Sequence, residues 1–335
     1  MANPTQPGVE VISKEFKRDD NDTVLCTDRV EVKFDGVTLD LAQSWENGEE
    51  MAPIFSGACW AGTVVWQAAL DLGDYMSEHL RKELVGATVV ELGCGIGVPG
   101  MIARLLGATV VLTEQDELLS LLDRNLGKNF AEHPRGEGGI RREALDWERT
   151  ADTEDLLTSL QPSSADGEEG EGAIARRSPR LEFVLCADCV FEPLYGDSWK
   201  ALAKVMGRLS DAGTTVLCSV ERRGDDGVPQ FLQACEAEGF SLQMVYRAAS
   251  SAPAPVELYE FSKGGREGFR GVAVAGSDRC SSNEAEAQAV GEGAGGDDNG
   301  GTAEIVGGSS DGAAGVGRGG GDADEVEVGS VSTER

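Results

Sequence analysis

Apolar positions along the chain follow two patterns. Short runs that alternate or stay continuously apolar are typical of strands, whereas repeats at helical spacing are typical of amphipathic helices. Strands are predicted at 29–34, 37–41, 88–91, 108–114, 140–145, 181–187, 214–220, 242–246 and 256–261, and helices at 63–84, 99–106, 117–130, 198–209 and 228–238.

The alternation of strands with helices predicts an α/β fold, in which helices cover both faces of a mostly parallel sheet. The last two strands have no clear helix between them and predict an antiparallel pair at one edge of the sheet. The first two strands flank Asp35-Gly36, a two-residue turn signal, and predict an N-terminal β-hairpin.

Changes in composition set the predicted domain boundaries. Residues 1–28 are polar and mixed, and we expect a flexible N-terminus there. Residues 29–263 form the predicted folded domain, which an acidic low-complexity insertion interrupts at 148–180. Residues 264–335 are rich in Gly and acidic side chains with almost no large apolar residue, so we expect a disordered tail.

Charge and cysteine usage narrow the classes of partner. The 335-residue chain has a formal net charge of −30, which repels nucleic acid and favours a basic protein surface. No apolar run approaches the roughly 20 residues of a membrane span, and the N-terminus lacks the features of a secretory signal. Eight scattered cysteines are typical of a reduced setting. We therefore expect a monomer in the cytoplasm, with the nucleus as a second location, and neither membrane nor nucleic acid as partner.

Candidate chemistry concentrates in TVVELGCGIGVPG, residues 88–100. A strand, closely spaced glycines and a helix opened by proline form a turn whose backbone N–H groups can approach a ligand. Gly93, Gly95 and Gly97 do not match the G-x-G-x-x-G spacing of dinucleotide sites. Glu91 would repel a pyrophosphate but suits the cationic sulfonium of S-adenosylmethionine, which we predict as the cofactor.

Other strand ends lead to the same rim, because ligands of open α/β sheets bind at the carboxyl ends of the strands. Glu114 ends the next strand about 20 residues after the glycine turn, where it is predicted to bind ribose hydroxyls. Trp147 is predicted beside the adenine, and Asp188 and Phe191 follow the most apolar strand. We expect carboxylates and aromatic rings on this rim without any basic residue.

Three further signals are less specific. Cys186 and Cys189 have C-x-x-C spacing, but no second Cys/His pair lies nearby, and we predict no metal site. Trp66, in the first turn of a predicted helix, packs in the core by default. Arg222 and Arg223 either flank an acceptor channel or end a solvated loop.

The segments that contain these residues resemble the family-16 seven-β-strand methyltransferases, the METTL21-like protein-lysine methyltransferases. The resemblance covers roughly 29–263 and rests on VVWQAALDLGDYM, ELGCGIGVPG, VVLTEQ, EALDW, LCADCVFEPLYGDSW and ELYEFSK, which occur in the family's order. It implies a Rossmann-like seven-stranded sheet with one antiparallel edge strand, S-adenosylmethionine as cofactor, and a protein lysine ε-amine as methyl acceptor.

Carried over by position, the resemblance implies cofactor contacts at Trp66, Gly93, Cys94, Gly95, Glu114, Trp147 and Ala187, to which the glycine turn itself adds Glu91 and Gly97. The family's D-x-x-Y signature falls on Asp188 to Phe191, so the tyrosine hydroxyl is missing while an aromatic wall remains. Asp188 is predicted to orient the incoming lysine, since in-line placement supplies most of the acceleration of methyl transfer.

The sequence thus predicts an enzyme, an S-adenosylmethionine-dependent protein-lysine N-methyltransferase. Two alternatives stay open. One is a methyltransferase with a small-molecule or non-lysine acceptor, and the other is a non-catalytic cofactor-binding protein that interacts through its acidic tail.

Overall fold

The computed structural model describes residues 8–18, 24–43, 61–131, 139–161, 181–248 and 254–264. All of them belong to the first of two compact units, 1–279, and the second unit, 280–335, lies outside the described residues. The prediction of a disordered tail at 264–335 concerns residues that, apart from Gly264, also lie outside them.

Strands and helices alternate along most of the described chain, as predicted. The strands are β1 (Glu10–Arg18), β2 (Val24–Phe34), β3 (Val37–Ala42), β4 (Thr88–Leu92), β5 (Thr109–Glu114), β6 (Ile140–Ala144), β7 (Leu181–Ala187), β8 (Thr215–Glu221), β9 (Ser241–Ala248) and β10 (Val256–Ser262). The helices are α1 (Gln67–His79), α2 (Val98–Leu105), α3 (Leu119–Phe130), α4 (Thr150–Ser159), α5 (Glu192–Tyr195), α6 (Trp199–Leu209) and α7 (Val228–Ala237).

The main sheet has seven strands in the order β6-β5-β4-β7-β8-β10-β9, which confirms the predicted α/β class. Strands β4 to β8 run parallel, and β10 is antiparallel to both β8 and the outermost strand β9. From β4 the chain first adds β5 and β6 on one side of the sheet and then β7 and β8 on the other. The connections at the carboxyl ends of the neighbours β4 and β7 therefore lead in opposite directions and leave a crevice between them.

A second sheet of three strands precedes the main one. The predicted hairpin is confirmed as β2 and β3, with Phe34 opposite Val37 across the turn. The prediction of a flexible segment at 1–28 is wrong for Glu10–Arg18, which forms β1 and pairs with β2. Long-range contacts explain the difference, because the Val9 N–H donates to Asp74 Oδ1 of α1 at 2.6 Å and Val9 and Val11 pack on the core.

The predicted low-complexity insertion at 148–180 also contains regular structure. Helix α4 occupies its start and buries Leu156, which is 1% exposed, in the core beneath the main sheet. The acidic composition of the segment obscured this short apolar face, and residues 162–180 lie outside the described ones.

Helices pack on both faces of the main sheet and leave its carboxyl rim open. One core cluster joins α1, α2 and the three-stranded sheet, and the other joins α6 and α7. No helix in the described part of the chain combines the length and apolarity needed to span a bilayer.

Candidate active site

A cavity of about 380 Å³ lies at the carboxyl ends of β4, β5 and β7, within the range of roughly 300–1,000 Å³ that small-ligand pockets have. Nine of the predicted site residues line it: Trp66, Glu91, Gly93, Cys94, Gly95, Glu114, Trp147, Ala187 and Asp188. The structure places Gly97 and Phe191 outside this wall.

The glycine turn forms the floor of the cavity because two of its residues cannot bear a side chain. Gly93 and Gly95 adopt φ values of +57° and +54°, in the left-handed region that favours glycine. A Cβ at Gly93 would lie 2.8 Å from Cζ2 of Trp147, and one at Gly95 would lie 2.5 Å from the carbonyl oxygen of Gly62. A side chain at either position would therefore force Trp147 or the backbone of Gly62 to move.

Gly97 serves the fold rather than the cavity wall. It is the residue before α2, its φ is +80°, and a Cβ there would lie 2.8 Å from Leu112 of β5. It lets the chain turn into the helix while the turn stays close to the sheet.

Glu91 is the most deeply buried acid of the site, with 1% of its surface exposed. Its Oε2 accepts the N–H of Gly100 in the first turn of α2 at 2.7 Å, which fits a carboxylate at the positive end of a helix. Burial nevertheless raises the pKa of Glu91 to about 8, and the nearby charge of Glu114 adds to the shift. Glu91 thus supports the turn from below as well as facing the cavity.

Glu114, at the end of β5, holds the turn from the opposite side. Its Oε2 accepts the N–H of Gly95 at 2.7 Å, and its Oε1 accepts the N–H of Gln115 at 2.9 Å. Desolvation raises the pKa of this carboxyl, and the two backbone donors offset part of that shift. Each carboxylate oxygen has further acceptor capacity, which a ribose hydroxyl could use.

Two tryptophans flank the cavity. Trp147 lines the cavity and lies against the turn at Gly93. Trp66 is the N-cap residue of α1, and its Nε1 donates to the carbonyl of Ala61 at 2.9 Å, so it lines the cavity instead of packing in the core. The helix predicted over 63–84 is shorter in the structure, where it spans Gln67–His79.

At the far end, Asp188 follows β7 with φ +55° and is only 5% exposed. Its backbone N–H donates to Ser219 of the adjacent strand β8 at 2.8 Å, and its Oδ1 accepts the N–H of Glu221 at 3.1 Å. These bonds fix the carboxylate at the wall of the cavity.

Arg223 pairs with Asp188 in a bidentate ion pair. Nη2 lies 2.7 Å from Oδ2 of Asp188 and Nη1 lies 3.2 Å from Oδ1, while Nη2 also lies 2.7 Å from Oε2 of Glu221. The Cζ of Arg223 is 5.3 Å from the ring centroid of Trp66 and 5.1 Å from that of Phe191. We call these five residues the Arg223 cluster. The expectation that no basic residue reaches this rim is therefore wrong, because neighbouring strands bring together residues 35 apart in sequence.

Tyr195 is the wall residue that sequence reasoning missed. It ends α5, one helical turn after Phe191, and its side chain lines the cavity. Burial raises the pKa of its hydroxyl, with Cys189 and Asp188 close enough to add to the shift. The hydroxyl makes no hydrogen bond to another described residue. The F-E-P-L-Y stretch, residues 191–195, carries the signal, but only a helix directly after Phe191 turns Tyr195 toward the cavity.

The cysteines of the site are neutral thiols. Burial raises the pKa of both Cys94 and Cys189 well above the usual value, so neither is an activated nucleophile. Cys186 faces Cys218 across β7 and β8 and does not pair with Cys189. Among the described residues, no group of three or more His, Cys, Asp or Glu side chains is arranged to hold a metal ion.

The cavity fits a cationic nucleoside ligand. Among its described lining residues five are acidic, Glu91, Glu114, Asp146, Glu148 and Asp188, and none is Lys, Arg or His. Such a wall disfavours a phosphate and favours a sulfonium. The seven-stranded sheet, the glycine turn after β4 and the acid at the end of β5 define the class as S-adenosylmethionine-dependent methyltransferases.

Comparisons with known proteins identify the family within this class. A model of the lysine methyltransferase family matches residues 56–160. Secreted RxLR effector protein 48 of Plasmopara viticola is 42% identical over 149 residues, which are 42% of this chain and 67% of that protein. Human methyltransferase-like protein 22 is 32% identical over 52% of this chain and 42% of its own length. Protein N-lysine methyltransferase METTL21A of Danio rerio is 29% identical over 48% of this chain and 61% of its own length.

The chain belongs to the family-16 lysine methyltransferases, whose cofactor is S-adenosylmethionine. It spans about half the length of some of these relatives, 42% of the human protein for example.

Proposed function

We propose that this protein transfers a methyl group from S-adenosylmethionine to the ε-amine of a lysine in a protein partner. The observation that carries the proposal is an acid-lined cavity that ends at the buried carboxylate of Asp188. One end suits a cationic cofactor, and the other presents a carboxylate and an aromatic ring to a second cation.

The cofactor end would hold the cofactor mainly through backbone. Gly93, Cys94 and Gly95 line the cavity with their main chain close to its surface, and Ala187 adds the end of β7. Glu114 would accept the ribose hydroxyls. Trp66 and Trp147 would pack along the nucleoside, and Glu91 would support the turn from below through its bond to Gly100.

The bound cofactor supplies a methyl group on a cationic sulfur, so the protein needs little acid–base chemistry. Asp188 would attract the lysine as an ammonium ion and set its direction. The positive charge of the cofactor and the low polarity of the channel then disfavour the charged form of the lysine, so the amine loses its proton to water before it attacks. Trp66 and Tyr195 would form the wall of this channel, and Phe191 lies next to it against Arg223.

The negative charge of the chain supports an acceptor lysine that lies on a basic protein surface. The net charge of −30 would attract lysine-rich segments and repel nucleic acid. We propose a monomer that acts in the cytoplasm, with the nucleus as a second location. Fluorescence imaging of the tagged full chain and sedimentation analysis would test these two points.

Cofactor binding without turnover is the second candidate, and one observation favours it. Arg223 already neutralises Asp188, which would otherwise receive the acceptor. A protein with a filled acceptor end could bind cofactor and use its acidic surface for interaction alone.

Calorimetry with S-adenosylmethionine, followed by labelling of an extract from cells lacking the protein, separates these candidates. We expect micromolar-range binding and radiolabelled methyl in a protein, at lysine by mass spectrometry. Label in small molecules would instead favour another acceptor class, and binding without label would favour the non-catalytic alternative. Absence of binding to the cofactor and to S-adenosylhomocysteine would refute the assignment.

A further inference from the structure

The Arg223 cluster has the composition of a binding site for an alkylammonium ion. Two carboxylates, from Asp188 and Glu221, and two aromatic rings, from Trp66 and Phe191, surround one cation. Carboxylates pair with an ammonium group, and aromatic faces bind it through their quadrupoles.

The site is continuous with the cofactor cavity. Trp66 and Asp188 belong both to the cluster and to the wall of the cavity. Side-chain exposure is only 3% for Asp188 and 12% for Glu221, so any cation between them is largely shielded from water. Two carboxylates around a single guanidinium leave a net negative charge, which keeps the site attractive to cations.

We propose that the guanidinium of Arg223 occupies the subsite for the substrate's lysine ammonium group and is displaced when that lysine enters. The inference rests on the proposed function, because it takes the acceptor to be a lysine. Arg223 then acts as a gate that keeps the acceptor end closed to water and small cations.

The local structure allows the side chain to leave without the backbone. Arg223 lies in the loop after β8, and its backbone N–H donates to Asp226 Oδ2 at 3.2 Å. Its neighbour Arg222 anchors the same loop by pairing with Asp226 at 2.8 Å and with Glu257 at 2.7 Å. Only the Arg223 side chain, which is 22% exposed, has to swing outward.

Exchange of the Arg223 guanidinium for a lysine ammonium group also avoids the cost of leaving a buried carboxylate unpaired. Removal of Arg223 alone would leave Asp188 buried and unpaired, which is strongly unfavourable. An entering ammonium replaces the lost pair with a similar one. A neutral side chain cannot do this, so the gate selects for a basic acceptor.

The first test measures binding of n-butylammonium, the lysine side chain without its backbone, to the cofactor-free protein. In Arg223→Gln we expect at least about tenfold tighter binding than in wild type, because the subsite is no longer occupied by a competing residue. Arg142→Gln removes an exposed arginine that pairs with Asp123 outside the cavity wall, so it is the control and should bind like wild type. Melting curves verify that each variant is folded, and equal binding by folded Arg223→Gln and wild type would overturn the proposal.

The second test uses Arg223→Lys, which keeps the cation and therefore the paired carboxylates. Incubated with S-adenosylmethionine, this variant should methylate its own residue 223, as mapped by mass spectrometry. The amine nitrogen forms the new N–C bond, the C–S bond breaks with its electron pair left on sulfur, and the amine proton passes to water. Arg222→Lys should not be methylated at residue 222.

Outcomes of the second test separate this inference from the function it rests on. If Arg223→Lys methylates extract proteins but not residue 223, the gate is refuted and the methyltransferase function stands. If neither wild type nor the variant methylates any protein although both bind the cofactor, the proposed function fails as well.

Discussion

The two ends of the cavity are built from contacts of different range. At the cofactor end, the bonds that shape the glycine turn join residues 9 and 19 apart, Gly100 to Glu91 and Gly95 to Glu114. At the Arg223 cluster, the bonds to Asp188 join residues 33 and 35 apart. The first end contains no basic side chain among its described lining residues, whereas the second is closed by Arg223.

This difference indicates how a single cavity can discriminate two cations. The cofactor end is open and negatively charged, so a free sulfonium ligand can enter without displacing protein groups. The Arg223 cluster has two carboxylates but is already occupied by a guanidinium, so a second cation enters only by exchange. Variants that change one end and spare the other test whether the two ends are independent.

Gly95→Ala should have the largest effect, and only on the cofactor end. The added Cβ would lie 2.5 Å from the Gly62 carbonyl oxygen at a φ of +54°, so the turn has to move. We expect calorimetry to show at least about a hundredfold loss of S-adenosylmethionine affinity, which is roughly 2.8 kcal/mol. Gly86→Ala has a similar φ of +76° with no atom within 4 Å and controls for backbone strain. Equal affinities of the two variants would contradict the packed-turn interpretation.

Asp188→Asn tests the other end. Asparagine tolerates the φ of +55° and keeps the shape of the side chain, but it removes the charge that pairs with a cation. We expect methyl transfer to extract proteins to fall about a hundredfold through misplacement of the acceptor. Cofactor affinity should stay close to that of wild type. Undiminished transfer in the radiolabel assay would remove Asp188 from the proposed mechanism.

Glu114→Gln should have a smaller effect on the cofactor end. The Glu114 carboxylate accepts two backbone N–H groups, and the single amide oxygen of glutamine cannot serve both in the same geometry. We expect S-adenosylmethionine affinity to fall about tenfold, in line with one unmade polar interaction. Glu117→Gln makes the same charge change outside the cavity wall and should bind the cofactor like wild type.

Glu91→Gln should change stability more than binding, and its effect depends on pH. The pKa of Glu91 is raised to about 8 in the folded protein from an ordinary 4.5, so the folded state holds a proton that the unfolded state has lost. That contribution to stability is fully present below pH 4.5 and is lost as the pH rises toward 8. Glutamine cannot ionise, so the variant does not lose this stability. Its free energy of unfolding should rise relative to that of wild type by about 1.4 kcal/mol per pH unit across this window.

Denaturant unfolding of wild type and Glu91→Gln at pH 5, 6 and 7 measures this effect. The difference between their free energies of unfolding should increase with pH. A constant difference over this range would show that Glu91 is ionised in the fold.

Features that depend on residues close together in the sequence were predictable from the sequence. The glycine turn, the acid at the end of β5 and the strand–helix alternation all depend on residues close together along the chain. The residues that define each of these features lie within one short segment of the chain. Glu91, Gly93, Gly95 and Glu114 line the cavity as these local patterns predicted, whereas the positions of Trp66, Cys94 and Ala187 followed from the family resemblance.

Two elements escaped prediction because their stability comes from distant partners. Strand β1 depends on β2 and on Asp74 of α1, and the short apolar face of α4 forms only where the main sheet covers Leu156. Composition alone marks both segments as polar, since it cannot show which few apolar residues find a partner.

The sequence by itself determined the sheet, the turn and the sign of charge around the cofactor, because local periodicity and composition encode them. Only the tertiary structure decided what faces Asp188. Strands β7 and β8 are neighbours in the sheet, so their ends bring Asp188, Glu221 and Arg223 together, and α5 turns Tyr195 inward. Ion pairing depends on distance in space, and across these strands that distance is unrelated to separation along the chain.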